Sequence, residues 1–127
     1  MMKKFEIEIS TRLTVTEKDI DDIMVTALEG GINGWCNDAE VVGEYLGEFA
    51  SDQISRGGML KLYDAEEDEV YELTLEKILH GIEKAYAERW FAEYGWCDGK
   101  VLDVSQIDAE VADVIVQLAI FDDVVFG

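Results

Sequence analysis

The stretch IDAEVADVIVQLAIF, residues 107–121, constrains the fold more than any other part of the chain. On a helical wheel Ile107, Val111, Val114, Ile115 and Leu118 form one stripe, and Val116 and Ile120 carry it nearly all the way round. A helix that is apolar on almost every side cannot lie on a surface, so other elements must enclose it. Asp122-Asp123 stop the run, and Val124-Val125-Phe126 read as a short edge strand.

The enclosing elements are legible from period and caps. Residues 5–15, FEIEISTRLTV, alternate strictly, with Phe5, Ile7, Ile9, Leu13 and Val15 on one side and Glu6, Glu8, Ser10, Arg12 and Thr14 on the other. That is the pattern of a half-buried strand. Thr16 precedes Asp19 by one helical turn, a variant capping box, and Ile20, Ile23, Met24, Ala27 and Leu28 follow at helical spacing. Gly30-Gly31 is expected to close this helix with a left-handed cap. Residues 39–47 read as a strand, and Ser55-Arg56-Gly57-Gly58 as a turn into the strand MLKLY at 59–63. The acidic loop 64–69, DAEEDE, leads to the extended piece VYEL, and Thr74 caps a helix over about 75–93. Leu75, Ile78, Leu79, Ile82 and Tyr86 are its expected buried face. With no proline and no low-complexity linker, 1–127 is read as a single α+β domain. The expected architecture is a mainly antiparallel sheet with about three helices packed on one face.

Charge is the second constraint. Asp plus Glu number 29 against 10 Lys plus Arg, a formal net charge of −19 on 127 residues. The chain is 49% hydrophobic and so can still bury a core. No apolar run approaches membrane-spanning length. Met1-Met2-Lys3-Lys4 runs straight into Phe5-Glu6-Ile7-Glu8, which is not a signal peptide, so a cytoplasmic chain with reduced thiols is expected. Direct binding to nucleic acid or to an anionic membrane is disfavoured, because phosphate contacts require a basic patch. A basic surface is the complementary partner. A globule of this length spans about 36 Å. Nineteen phosphates cover about 32 Å of duplex. Net charge and size together thus match about one turn of DNA.

Two phrases nearly repeat, GWCND at 34–38 and GWCDG at 95–99, and they hold both cysteines. Zinc would need four ligands, yet Cys36 and Cys97 are isolated and His80 is the only other soft ligand. His80 lies about 140° from the apolar face of its helix, beside Lys77, Glu83 and Lys84, as a solvated histidine would. A Cys–His nucleophile is therefore not supported, and each phrase reads as a turn with a packed tryptophan. The 64–69 loop fails the EF-hand pattern, since Glu69 stands where Gly is needed and Leu75 where Glu is needed. Neither glycine pair is a phosphate loop, and no nucleophile-elbow or zincin motif occurs. No catalytic residue, metal ligand or cofactor is assigned, and the chain is not expected to be an enzyme.

What remains is the placement of carboxylates. Glu6 and Glu8 lie on the outer side of the first strand, and Asp19, Asp21 and Asp22 crowd the start of the first helix. Glu40, Glu44, Glu48 and Asp52 recur every fourth residue, one ridge if that segment is helical and one strand face if it is extended. Asp64, Glu66, Glu67, Asp68 and Glu69 form the acidic loop. These are the candidate partner-binding residues; a merely solvated face is the competing meaning.

TEKDIDDIMVTALEGGINGWC (16–36), YLGEFASDQISRGGMLKLYD (45–64) and DAEVADVIVQLAIF (108–121) resemble small acidic proteins encoded by phages and other mobile elements of gut bacteria. The resemblance implies a mobile-element origin and brings no catalytic residues. The leading expectation is an acidic binder that mimics DNA against a host nucleic-acid-binding defence protein. The alternative is a structural or adaptor protein, in one form a homodimer, that binds through Trp35, Trp90, Phe91 or Trp96. A metal-dependent enzyme ranks third.

Overall fold

The computed structural model describes residues 3–5, 13–88, 90, 102 and 104–127. Helix α1 (Glu17–Thr26) begins at the cap the sequence supplies. The Thr16 hydroxyl accepts the Asp19 N–H at 3.1 Å, and the Asp19 carboxylate accepts the Thr16 N–H at 2.9 Å. This exchange satisfies N–H groups that a helix start leaves without partners. Ile20, Ile23 and Met24 face the core. The expected left-handed cap at Gly30-Gly31 is not what ends the helix. Residues Ala27–Gly31 widen into one π turn, and the chain leaves it at Ile32 with φ −96°. Gly31 serves close approach instead, since a Cβ there would lie 2.7 Å from the Ala109 carbonyl oxygen.

Three strands, β1 (Cys36–Val41), β2 (Met59–Asp64) and β3 (Val70–Thr74), pair antiparallel in that order. The strand expected at 39–47 therefore starts earlier and stops earlier, and Gly43 at φ +78° turns the chain out of the ladder. The turn expected at 55–58 is present, with Gly57 at φ +88°. Strand alternation sends Leu60, Leu62 and Leu73 into the core. Most of the strand expected at 5–15 lies outside the described residues. Its end obeys the alternation, with Leu13 and Val15 half-buried against the core and Thr14 exposed.

Helix α2 (Leu75–Ala87) starts at Thr74, whose hydroxyl accepts the Lys77 N–H at 3.4 Å. It ends before the expected 93, because Glu88 leaves helical geometry at φ −84°, ψ 2°. Its buried face is also rotated from the expected one: Ile78, Gly81, Ile82 and Ala85 are buried, while Leu79 and Tyr86 are exposed. The reason is contact with α3 (Ala109–Phe121). A Cβ at Gly81 would collide with the Ile115 carbonyl oxygen and crowd Ala119, so small residues set the distance between the two axes.

Helix α3 is enclosed as its composition requires, with Ala112 and every residue from Val114 to Ala119 buried. Asp108 caps its start, accepting the Val111 N–H at 2.9 Å, and Asp122 ends it in the left-handed region at φ 59°. Val124–Phe126 form no edge strand. The amide of Gln117, buried inside α3, holds them instead: its Oε1 accepts the Val125 and Phe126 N–H groups at 2.9 and 2.8 Å, and its Nε2 donates to the Phe126 carbonyl at 3.3 Å. The result is an α+β domain with its helices on one face of the sheet.

Candidate functional site

The helix-covered side of the sheet leaves the other side outward. Register places Glu40, Lys61 and Glu72 in one row across the three strands, with Asp38, Tyr63 and Val70 in the next outward row. Asp38, Glu40, Val70 and Glu72 are exposed, and Lys61 and Tyr63 are half-buried. A directly opposed pair shares a sheet face, so Lys61 sits between two carboxylates on a surface otherwise acidic or apolar. The Tyr63 hydroxyl donates to Glu40 Oε1 at 3.2 Å. At one end of this face stands the β2–β3 hairpin, whose tip carries Glu66, Glu67, Asp68 and Glu69, all exposed. From the other end departs the loop that bears Glu44 and Glu48, also exposed. A six-residue strand such as β1 spans about 20 Å.

The candidate carboxylates divide by what they touch. Asp19 caps α1, Asp21 accepts from the Ser55 hydroxyl at 2.5 Å, and Asp22 pairs with Lys18 at 2.8 Å. Asp52 Oδ2 accepts the N–H groups of Glu48 and Phe49, each at 3.1 Å. Asp64 Oδ1 accepts those of Glu66 and Glu67 at 2.9 and 3.0 Å, closing the hairpin turn. These five carboxylates are engaged within the chain, Asp22 only in a surface ion pair. Glu40, Glu44, Glu48, Glu66, Glu67, Asp68 and Glu69 form no ion pair among the described residues. Glu6 and Glu8 lie outside the described residues. The ridge expected from Glu40, Glu44, Glu48 and Asp52 does not form on one element. Glu40 is on β1, Glu44 and Glu48 are in an irregular loop, and Asp52 is in a short 3-10 turn (Ala50–Asp52).

Asp38 and Glu72 belong to this surface and were missed in the sequence. Both follow strand alternation once the true bounds of β1 and β3 are known. Asp64 has a further partner, the Tyr71 hydroxyl, at 2.8 Å. The N–H groups of Glu67 and Glu66, with that hydroxyl, hold the Asp64 carboxyl below its usual range. The same hydrogen bond to Asp64, helped by burial, pushes the Tyr71 phenol up to about 12.

The GWC phrase at 34–36 is a structural anchor, as expected. Trp35 is buried, its ring stacked on Phe126 at 5.1 Å and 3° and meeting Tyr71 and Phe121 edge-on. It is thus core and not one of the interface anchors of the adaptor alternative, whereas Trp90 is exposed. Phe91, Trp96 and Cys97 lie outside the described residues. Cys36 is a buried free thiol that donates to the Asp38 carbonyl at 3.3 Å, and burial pushes its pKa up, away from the reactive thiolate. It borders a cavity of about 290 Å³ between Leu28, Ile32 and Ala50. His80 is exposed but not simply solvated. Its Nε2 lies 2.7 Å from Asp122 Oδ1, and Lys84 Nζ reaches the same carboxylate at 3.0 Å. These contacts, that of His80 first, hold the Asp122 carboxyl below its usual range and tie α2 to the end of α3.

No helix among the described residues is long and apolar enough to cross a membrane. No family model matches this chain, and no curated protein or solved structure matches it.

Proposed function

We propose that this chain is a non-enzymatic acidic protein-binding module that acts as a DNA mimic. In this reading it inhibits a bacterial nucleic-acid-binding defence protein of the CRISPR-effector or restriction-enzyme type. The observation that supports it most is the outward sheet face with its flanking hairpin and loop. Its exposed carboxylates outnumber Lys61, the cation in their row, and form no ion pair among the described residues, in a chain of net charge −19. Carboxylates held on a rigid scaffold offer a Lys/Arg groove the counter-charge that phosphates would supply, and they speed encounter.

The test is competition. Purified guide-loaded CRISPR effectors and restriction endonucleases are bound to labelled duplex DNA and titrated with the chain. Displacement from at least one of them is expected, weakening by about tenfold or more as salt rises from about 0.05 to 0.2 M. Glu40→Lys/Glu72→Lys should reduce both the displacement and its salt slope. Displacement from none of them, or displacement indifferent to salt, refutes the reading.

A further inference from the structure

The segment 42–49 joins β1 to the rest of the chain as an irregular loop, yet its backbone is firmly held. The buried side-chain amide of Gln53 spans it, accepting the Leu46 N–H at 3.0 Å and donating to the Glu44 carbonyl at 3.2 Å. Asp52 takes the next two N–H groups, those of Glu48 and Phe49. Gly43 supplies a positive φ of 78°, and a Cβ at Gly47 would strike the Asp52 side chain and Arg56. A buried polar side chain and two glycines are thus committed to one loop conformation.

What that conformation displays is apolar. Tyr45 is 61% exposed, Phe49 60% and Leu46 48%, all within five residues of sequence. The parts of these side chains left in water add almost nothing to stability, while ordering the loop costs entropy. Rigid aromatic side chains presented outward are the usual anchors of protein interfaces, because little freedom remains to be lost on docking.

We propose that this loop is the apolar anchor of the interface: Tyr45, Leu46 and Phe49 seat in an apolar cleft of a partner protein whose rim carries Lys and Arg. This inference rests on the acidic-binder reading and adds the contact that fixes its orientation. Charge selects the occupant. Glu44 stands just before the anchors and Glu48 between Leu46 and Phe49, both without ion pairs among the described residues, so a basic rim complements the loop. Nucleic acid and anionic membrane are repelled. A second copy brings another −19 to the contact and is disfavoured on the same ground.

The test uses the full chain in the same competition assay. Tyr45→Ser/Leu46→Ser/Phe49→Ser is compared with wild type, with Glu40→Lys/Glu72→Lys, and with the single variants Tyr45→Ser and Phe49→Ser. The triple variant should lose about tenfold or more in displacement. It should keep the wild-type salt slope and thermal midpoint, and each single variant should lose part of the effect. Asp52→Ala, which loosens the loop but keeps its apolar side chains, should lose about threefold or more. If the loop variants displace DNA as well as wild type while the charge variant fails, the anchor is overturned and the acidic-binder reading stands. If wild type displaces nothing, that reading falls and the anchor with it. Sedimentation at high salt showing a dimer that the triple variant dissolves would assign the loop to a second copy, against the proposal.

Discussion

The indole N–H of Trp35 donates to Asp113 Oδ1 at 2.7 Å, joining the turn before β1 to the middle of α3. The same oxygen accepts from Gln117 Nε2 at 3.0 Å, and Gln117 in turn holds the backbone of Val125 and Phe126. Phe126 then stacks on Trp35, closing the circuit. One polar chain thus links the sheet entry, the central helix and the C-terminal tail, and no buried side-chain polar atom among the described residues lacks a partner.

Trp35→Phe keeps most of the stacking surface and removes the donor. A hydrogen bond to a charged group contributes about 1.5–3 kcal/mol, so urea denaturation should show a loss near the lower end of that range. A cycle with Asp113→Asn should give a coupling of about 1–2 kcal/mol, whereas additive losses would show that the bond carries none of the effect. Gln117→Leu should expose the tail, read as faster hydrogen exchange at Val125 and Phe126 than in wild type.

This circuit also marks the limit of what could be read from the sequence. The cap at Thr16–Asp19, the cap at Thr74 and the stop at Asp122 are local, and each was legible from a few neighbouring residues. Gln117 was not, because a polar residue in an apolar helix shows no period, and its tail partners lie beyond the helix end. Residues 42–47 were misread as strand for a similar reason: the order of that loop comes from Gln53 and Asp52 bonding to backbone, not from alternation. The acidic character of the surface was plain in the composition. Its assembly into rows across β1, β2 and β3 depends on register, which the sequence left open.

The rotated face of α2 yields a sharp contrast. A wheel ranks Leu79 as core and is silent on Gly81, yet the close approach to α3 needs the glycine. Gly81→Ala usually favours a helix by about 1 kcal/mol. Here the added methyl must displace the Ile115 backbone, and overpacking of that kind costs about 1–3 kcal/mol. A net loss of stability is expected from Gly81→Ala, and a smaller loss from Leu79→Ala, whose side chain is 42% exposed. The reverse order in thermal midpoints would restore the face read from the wheel.

The Asp64–Tyr71 pair makes stability depend on pH at both extremes. The Tyr71 phenol rises from 10.0 to about 12 in the folded chain, so the folded state keeps a proton that the unfolded state loses. Its contribution is complete below pH 10 and disappears as pH rises through about 12. Asp64 shifts the other way, so its contribution is present above the ordinary carboxyl value of 3.8 and fades as pH falls through the lowered one. Tyr71→Phe should reduce the alkaline dependence between pH 10 and 12, and phenolate absorbance should show a late-titrating tyrosine in wild type that this variant lacks. Tyrosines that all ionise together near pH 10 would contradict the assignment.

The carboxylates that form no ion pair among the described residues should weigh against the fold that carries them. Repulsion within a chain of net charge −19 is relieved when it unfolds and spreads the charges apart. Screening therefore favours the folded state, and the thermal midpoint should rise as salt shortens the Debye length from about 30 Å at 0.01 M to about 8 Å at 0.15 M. Replacing Glu66, Glu67 and Asp68 with Gln, Gln and Asn should raise the low-salt midpoint and flatten its response to salt. Asp64→Asn should lower the midpoint instead, because that carboxylate closes the hairpin turn. A surface that costs stability is retained when it serves binding, so the same triple neutralisation should weaken displacement of DNA in the competition assay. Neutralisation that stabilises the chain and leaves displacement untouched would reduce the hairpin carboxylates to solvation and confine any interface to the sheet face and the loop.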